Sequence, residues 1–365
     1  MVDELPDRAV KGRGATSNRT GRFEALSRVR INDGWSPALP AAAEDDLLPR
    51  LATRLLDDAT RGIIATNDSP DIPFDQSVNP YRGCEHGCVY CFARPTHAYL
   101  GYSPGLDFET VLFRKKDAAA LLAKELRRKG YVCKPLALGA NTDPYQPVER
   151  EERITRAVLE VCRDFRQPVG IITKSALVTR DLDILAPMAA EGLAHVSLSV
   201  TTLDRHLART LEPRASTPSR RLAAIRELSA AGVPVAVLSS PMIPALNDHE
   251  MEAILEEATA AGASMASYIL LRLPLEIAAL FEDWLREHAP NRADRVLSLI
   301  RQSRGGALYR ADWGTRMKGE GPYAEMLRTR FKLACKRLGL DSRRWEMSTG
   351  LFKPPPAPGN QLGLF

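Results

Sequence analysis

The sequence has no apolar run of about 18 residues, so nothing in it reads as a membrane span. Its first residues include Asp3, Glu4, Asp7 and Arg8 in place of the apolar core of a secretory leader, and the expected location is cytoplasmic. Cysteine is scarce, six in 365 residues, and with no sign of secretion a disulfide framework is a poor explanation for them. No second cysteine pair exists to complete an ordinary zinc-finger spacing. Neither sign of charge dominates: a net charge of +5 permits an anionic partner without requiring one. The chain is nonetheless 44% hydrophobic, enough for one large domain with extensions or two ordinary ones.

What is present is concentrated. Cys84, Cys88 and Cys91 follow one another as C-x3-C-x2-C, with Tyr90 just before the last. Three thiolates on a short loop can hold three corners of a cubane iron–sulfur cluster, which leaves one iron open to a further ligand. Gly83 and Gly87 let such a loop curl, because glycine accepts backbone angles that other residues avoid. The alternative is a structural zinc held by the three cysteines and His86 or His97. Cys133, Cys162 and Cys335 are scattered and read as free thiols in the core.

Along the chain, residues 1–60 are expected to form a flexible N-terminal segment, since 11–22 are rich in Gly, Ser, Thr and Arg. Short apolar runs then recur at 135–139, 169–173, 196–200, 233–238 and 268–271, each short enough for a buried strand. Helical patterns lie between them: Ile154, Val158 and Val161 share one face, as do Leu222, Ile225 and Leu228. Thr217-Pro218 marks a helix start, and Asp248 is placed to cap the helix carrying Ile254, Leu255 and Ala258.

Such strand–helix repeats call for a parallel sheet wrapped by helices. With a strand pair beside the cysteine loop the count is about six units, fewer than the eight of a closed barrel. The expected fold class is α/β, a partial (β/α)6 TIM-type barrel over residues 61–290, with a basic helical extension over 291–352. Residues 353–365 read as a proline-rich tether and a tail. Arg328, Arg330, Lys332, Lys336, Arg337, Arg343 and Arg344 crowd the extension, which suits a nucleic-acid surface or a solvated helix face.

The C-x3-C-x-aromatic-C pattern resembles the signature of the radical S-adenosylmethionine (SAM) superfamily, and a partial barrel is what that resemblance implies too. It implies a 4Fe-4S cluster on Cys84, Cys88 and Cys91, with SAM chelating the fourth iron through its amino and carboxylate groups. It implies that the reduced cluster splits the sulfonium to give methionine and a 5′-deoxyadenosyl radical, that Tyr90 contacts the adenine, and that an electron donor such as a flavodoxin or ferredoxin is a partner.

Ligands of parallel α/β architectures bind at the carboxyl ends of strands. Asn141, Thr142 and Asp143 follow one apolar run and offer acceptors for the SAM ammonium, or form an ordinary turn. Lys174 ends the next run and suits the SAM carboxylate or a substrate phosphate. Ser199 and Thr201 end the one after and suit the ribose. Glu212 and Arg214 follow, and an arginine fork suits a carboxylate. The alternative for each is a surface charge or a helix-start residue.

Within the superfamily, Asn79-Pro80-Tyr81-Arg82-Gly83-Cys84, Tyr90-Cys91-Phe92-Ala93-Arg94 and Asn141-Thr142-Asp143-Pro144-Tyr145-Gln146-Pro147 are most similar to the branch containing spore photoproduct lyase and its DNA-repair-photolyase-like relatives. That resemblance implies a repair-type reaction on DNA. In one respect the chain departs from it: Asn141 stands where the branch has a cysteine hydrogen donor, which leaves Tyr145 as the candidate donor. The tail Gln361-Leu362-Gly363-Leu364-Phe365 resembles the pentapeptide by which bacterial polymerases and repair proteins dock on the sliding clamp, with Leu364 and Phe365 as anchors. Two other readings compete: radical modification of RNA, protein or a small molecule, and a non-catalytic, metal-stabilised nucleic-acid-binding protein.

Overall fold

Residues 10–24, 51–340 and 345–356 are described by a computed structural model. Its strands are β1 (Arg54–Asp57), β2 (Ile64–Thr66), β3 (Gln76–Val78), β4 (Tyr81–Arg82), β5 (Val111–Arg114), β6 (Leu136–Leu138), β7 (Val169–Thr173), β8 (Ala194–Ser199), β9 (Val235–Met242) and β10 (Met265–Leu270). Strands β3, β6, β7, β8, β9 and β10 lie side by side in that order, every neighbouring pair parallel. These six strands are the expected partial barrel. β2 adds an antiparallel strand outside β3. Among the described residues no pairing joins β10 to β2, so the barrel stays open on that side.

The apolar runs become strands because both of their faces are covered. Val169 and Ile171 of β7 and Val196 and Leu198 of β8 are fully buried. Helices Ile154–Asp164, Leu182–Ala190, Pro218–Ala230 and Met251–Ala260 connect successive strands from β6 to β10. Their buried residues fall at helical spacing: Ile154 and Val158 in the first, Ala224, Ile225 and Leu228 in the third. Thr217 stands at the N-cap position but its side chain makes no capping bond. Asp248 is not a cap either. It lies in the 3-10 turn Asp248–Glu250, and its carboxylate accepts the Tyr323 hydroxyl instead.

Three features were not expected from the sequence. First, β1 and β5 pair in parallel and β4 pairs antiparallel with β5, making a small second sheet whose β4 runs directly into the cysteine loop. Second, the stretch expected to be flexible at 11–22 is partly held down. Arg13, Ala15, Thr16 and Ser17 are buried, because the Gly14 and Ala15 amides donate to Glu109 at 3.0 and 2.9 Å. Composition cannot reveal a distant carboxylate that satisfies such a backbone. Third, residues 345–353 run under the amino-terminal ends of the strands. The Ser348 amide donates to the Gly192 carbonyl (3.0 Å) and the Lys353 amide to that of Phe165 (2.9 Å).

Helices Ile277–His288, Pro290–Gln302 and Gly321–Leu338 follow β10. Phe281, Trp284, Leu285, Val296 and Ile300 pack with Val89 and Tyr90, so the first two of these helices form a wall behind the cysteine loop, while the third packs on the barrel core through Leu327, Ala334 and Cys335. Part of the basic charge is answered locally: Arg330 pairs with Glu252 and Arg337 with Glu256. Arg343, Arg344 and the tail 361–365 lie outside the described residues.

Candidate active site

The cysteine loop owes its shape to two glycines and one arginine. Gly83 and Gly87 adopt φ of 76° and 69°, in the left-handed region that favours glycine. Arg94, fully buried, donates to the carbonyls of Cys88 (2.8 Å), Gly87 (3.1 Å), Pro104 (3.1 Å) and Gly105 (2.9 Å), and its remaining donor goes to Glu109. Gln146 clamps the loop from the other side: its side-chain oxygen accepts the Glu85 amide at 2.9 Å and its nitrogen donates to the Gly83 carbonyl at 3.2 Å. The Cys84 amide donates to the Phe108 carbonyl at 3.0 Å.

So held, Cys84, Cys88 and Cys91 line one wall of a cavity of about 440 Å³ at the carboxyl ends of the strands. Burial pushes all three thiols above the usual thiol range. Thiolates in this position therefore need a cation, which a metal centre supplies. His97, one of the two histidines considered for zinc, does not line this cavity. Its Nε2 donates to the Val111 carbonyl at 2.9 Å, and burial holds its pKa at about 4. The donor set, three thiols around one open cavity, fits a multi-iron cluster with room for a ligand beside it.

The cavity also gathers Tyr90, Asn141, Thr142, Asp143, Lys174 and Ser199, all anticipated from the sequence. Asn79 arranges the β6 end by accepting the Asn141 amide at 2.9 Å and the Thr142 amide at 3.3 Å. Asp143 accepts the Thr173 hydroxyl (2.7 Å) and the amides of Lys174 (2.7 Å) and Tyr145 (2.9 Å), and its Oδ2 lies 3.3 Å from Nδ1 of His86. Burial raises this carboxyl, but His86 and the donated bonds outweigh it and hold the pKa at about 2. An ionised Asp143 therefore fixes the turn from within. Lys174 Nζ sits 5.8 Å from the centre of the Tyr90 ring.

Four anticipated residues are placed elsewhere. Thr201 and Glu212 lie behind Tyr90, where Thr201 donates to Glu212 at 2.5 Å, the Tyr90 hydroxyl donates to the same carboxylate, and Arg221 pairs with it. They anchor Tyr90 and do not line the cavity. Burial raises the Glu212 carboxyl, yet Arg221, Lys174 and these bonds hold it at about 2. Arg214 faces Glu85 at 3.2 Å, outside the cavity, because the carboxylate of the loop claims it first. Tyr145 is fully buried and its hydroxyl donates to Asp181 at 3.0 Å, which turns it away from any substrate. The sequence reading missed Ser240, Pro241, Arg272, Arg316 and Met317, which line the far side of the cavity. The rule of strand ends points to Ser240 and Pro241 near the end of β9 and to Arg272 just beyond β10; nothing in the sequence points to Arg316 and Met317.

An open parallel α/β barrel, with three thiols at its strand ends beside a cavity that offers acceptors and a cation, defines a metal-cluster protein that takes a second, polar cofactor. Comparison with known proteins makes this specific. Residues 78–258 match the Radical SAM superfamily. The chain is 34% identical over 287 residues to an uncharacterized protein of Mycobacterium tuberculosis (strain ATCC 25618 / H37Rv), covering 76% of this chain and 84% of that one. An uncharacterized protein of Methanocaldococcus jannaschii is 29% identical over 173 residues, covering 47% of this chain and 62% of that one.

Among solved structures, spore photoproduct lyase complexed with dinucleoside spore photoproduct superposes with a TM-score of 0.55 over 78% of each chain, at 15% identity. A mutant of that lyase with bound AdoMet and dinucleoside spore photoproduct superposes equally well, also at 15% identity. That likeness is one of fold. The chain belongs to the radical SAM superfamily, whose members use a 4Fe-4S cluster and SAM. Among the described residues no helix is long and apolar enough to cross a membrane.

Proposed function

We propose that this protein is a cytoplasmic radical SAM enzyme that acts on DNA in a repair-type reaction. Cys84, Cys88 and Cys91 hold the cluster, and Asn141 and Thr142 offer acceptors to the SAM ammonium. Lys174 meets its carboxylate, Tyr90 packs on its adenine, and Ser199 bonds its ribose. Bound together, cluster and SAM supply a radical that removes a hydrogen atom from substrate. The protein's own contribution is placement: Glu212, Thr201 and Arg221 hold Tyr90 from behind, and Asp143 holds the Lys174 backbone.

The observation that carries the DNA reading is the cationic, aromatic lining of the cavity at the strand ends, where Lys174 and Arg272 stand beside Tyr90 and Phe92; the unpaired gap between β10 and β2 is itself bridged by residues 314–317. Spore photoproduct lyase has the same fold and was solved with a dinucleoside photoproduct, which makes damaged DNA the first substrate to test. Photoproduct reversal through a cysteine donor is not the reaction proposed. Among the described residues the only cysteines lining the cavity are the three of the loop. Cys162 and Cys335 belong to the core, and Cys133 lies 3.5 Å from Gln167.

The test is release of 5′-deoxyadenosine by anaerobically reconstituted protein, with flavodoxin or ferredoxin as reductant, alone, with intact DNA and with ultraviolet-damaged DNA. Damaged DNA is expected to raise the rate. Equal rates in all three would discard the DNA reading and leave the superfamily assignment untouched. The tail residues Gln361, Leu362, Leu364 and Phe365 are proposed to dock on the sliding clamp, and Phe365→Ala in a terminal peptide is expected to abolish binding to purified clamp.

A further inference from the structure

The cavity has a second cationic end. Tyr90 and Phe92 straddle Cys91, and each faces a cation: Lys174 lies over Tyr90, and the Arg272 guanidinium carbon lies 5.4 Å from the centre of the Phe92 ring. Arg272 stands just beyond β10, lines the cavity, and also lies 6.0 Å from the Tyr309 ring. Its Nη1 meets the Met317 sulfur at 3.3 Å, a weak acceptor, and its Nε is buried with no partner. Among the described residues no carboxylate lies within ion-pair reach of Arg272.

Its neighbours are different. Arg316, also on the cavity, pairs with Asp71 and bonds Ser69. Arg304 is buried and spends four bonds on the carbonyls of Thr315, Arg316, Leu270 and Leu271. Arg272 is therefore the cavity guanidinium whose charge is unanswered among the described residues. A buried charged donor left unpaired is costly, and an anion brought by a ligand relieves that cost. Beside it Phe92 is 46% exposed, a flat apolar ring at the mouth of the site.

We propose that Arg272 binds a backbone phosphodiester of the DNA substrate while a neighbouring base stacks on Phe92. This rests on the DNA reading above. A planar guanidinium fork matches two phosphate oxygens, and an aromatic face accepts any base. An acidic peptide would satisfy the fork but has no comparable use for the ring. Lys174 then serves the cofactor end and Arg272 the substrate end of one cavity.

The experiment uses reconstituted full-length protein and its R272Q and R272K variants. Each is titrated with a fluorescent thymidine oligonucleotide and with the same oligonucleotide carrying uncharged methylphosphonate linkages, read by anisotropy. Iron, sulfide and SAM affinity are measured on all three proteins and are expected to match. Wild type is expected to prefer the charged backbone about tenfold. R272Q is expected to lose that preference, and R272K, which keeps the charge without the fork, to lose most of it. An unchanged preference in R272K overturns the proposal even if R272Q fails to fold. So does an acidic peptide that competes better than the oligonucleotide in wild type but not in R272Q. If wild type binds neither oligonucleotide and DNA leaves SAM cleavage unchanged, the DNA reading fails and takes the proposal with it.

Discussion

Glu109 and Arg94 form an ion pair in which neither side chain reaches solvent. The pair joins two things that are far apart in sequence. Arg94 gathers the carbonyls of the cysteine loop, and Glu109 receives the amides of Gly14 and Ala15. Taking away one partner strands the other charge in the interior, at a cost of about 3–5 kcal/mol. Glu109→Ala is therefore expected to lower unfolding free energy by that amount in denaturant titration and to reduce the iron retained after reconstitution. A loss below about 1 kcal/mol, the scale of exposed pairs, would refute the role given to Glu109.

The N-terminal segment reaches the cysteine loop through a position that tolerates no side chain. A Cβ on residue 14 would lie 1.7 Å from the Gly87 carbonyl oxygen and 2.9 Å from its carbon. Gly14→Ala is expected to lift residues 13–17 off the loop, at about 1–3 kcal/mol. Limited proteolysis checks it: cleavage between residues 11 and 24 should be much faster in the variant. Equal protection in both proteins would contradict this packing.

Lys174 has no ion-pair partner among the described residues and stands over Tyr90 at the cofactor end of the cavity. Lys174→Gln is expected to weaken SAM binding about tenfold while leaving iron and sulfide content unchanged. Calorimetric titration with SAM reads the effect. Unaltered affinity would reassign the lysine to substrate.

Histidine burial sets a stability window. Burial lowers His195 from 6.5 to about 4, and His97 likewise. Both are neutral in the fold, and the unfolded chain binds their protons first as pH falls. Stability from these groups is full above pH 6.5 and is lost as pH drops toward 4, on the order of 2–3 kcal/mol for each. His195→Leu is expected to flatten part of that slope, measured as unfolding free energy at pH 7, 5.5 and 4. A slope equal to that of wild type would show that His195 titrates freely.

The barrel was readable because its strands carry unbroken apolar runs and its helices carry buried residues at helical spacing, both local properties. The cysteine loop was readable for the same reason: its ligands are neighbours in sequence. Side-chain direction at a strand end is not local. Thr201 and Glu212 turn inward because Arg221, on the following helix, sits behind them with the only fully buried guanidinium near that carboxylate among the described residues. Tyr145 is claimed by Asp181, far along the chain. Arg316 and Met317 reach the cavity only because the loop before Gly321–Leu338 folds back, where the Leu270 amide donates to the Met317 carbonyl at 2.9 Å and Arg316 reaches Asp71. No periodicity announces such a return.

The buried backing of the cysteine loop has a consequence for how the protein is charged with its cofactors. Arg94, Glu109 and the Gly14–Ala15 amides occupy the rear of the loop, while the thiols face the cavity. Cluster, nucleotide and substrate therefore meet on the same face of the loop, the one turned to the cavity. Whatever enters last stands between the metal and the air outside, so an occupied pocket should outlive an empty one when oxygen is admitted.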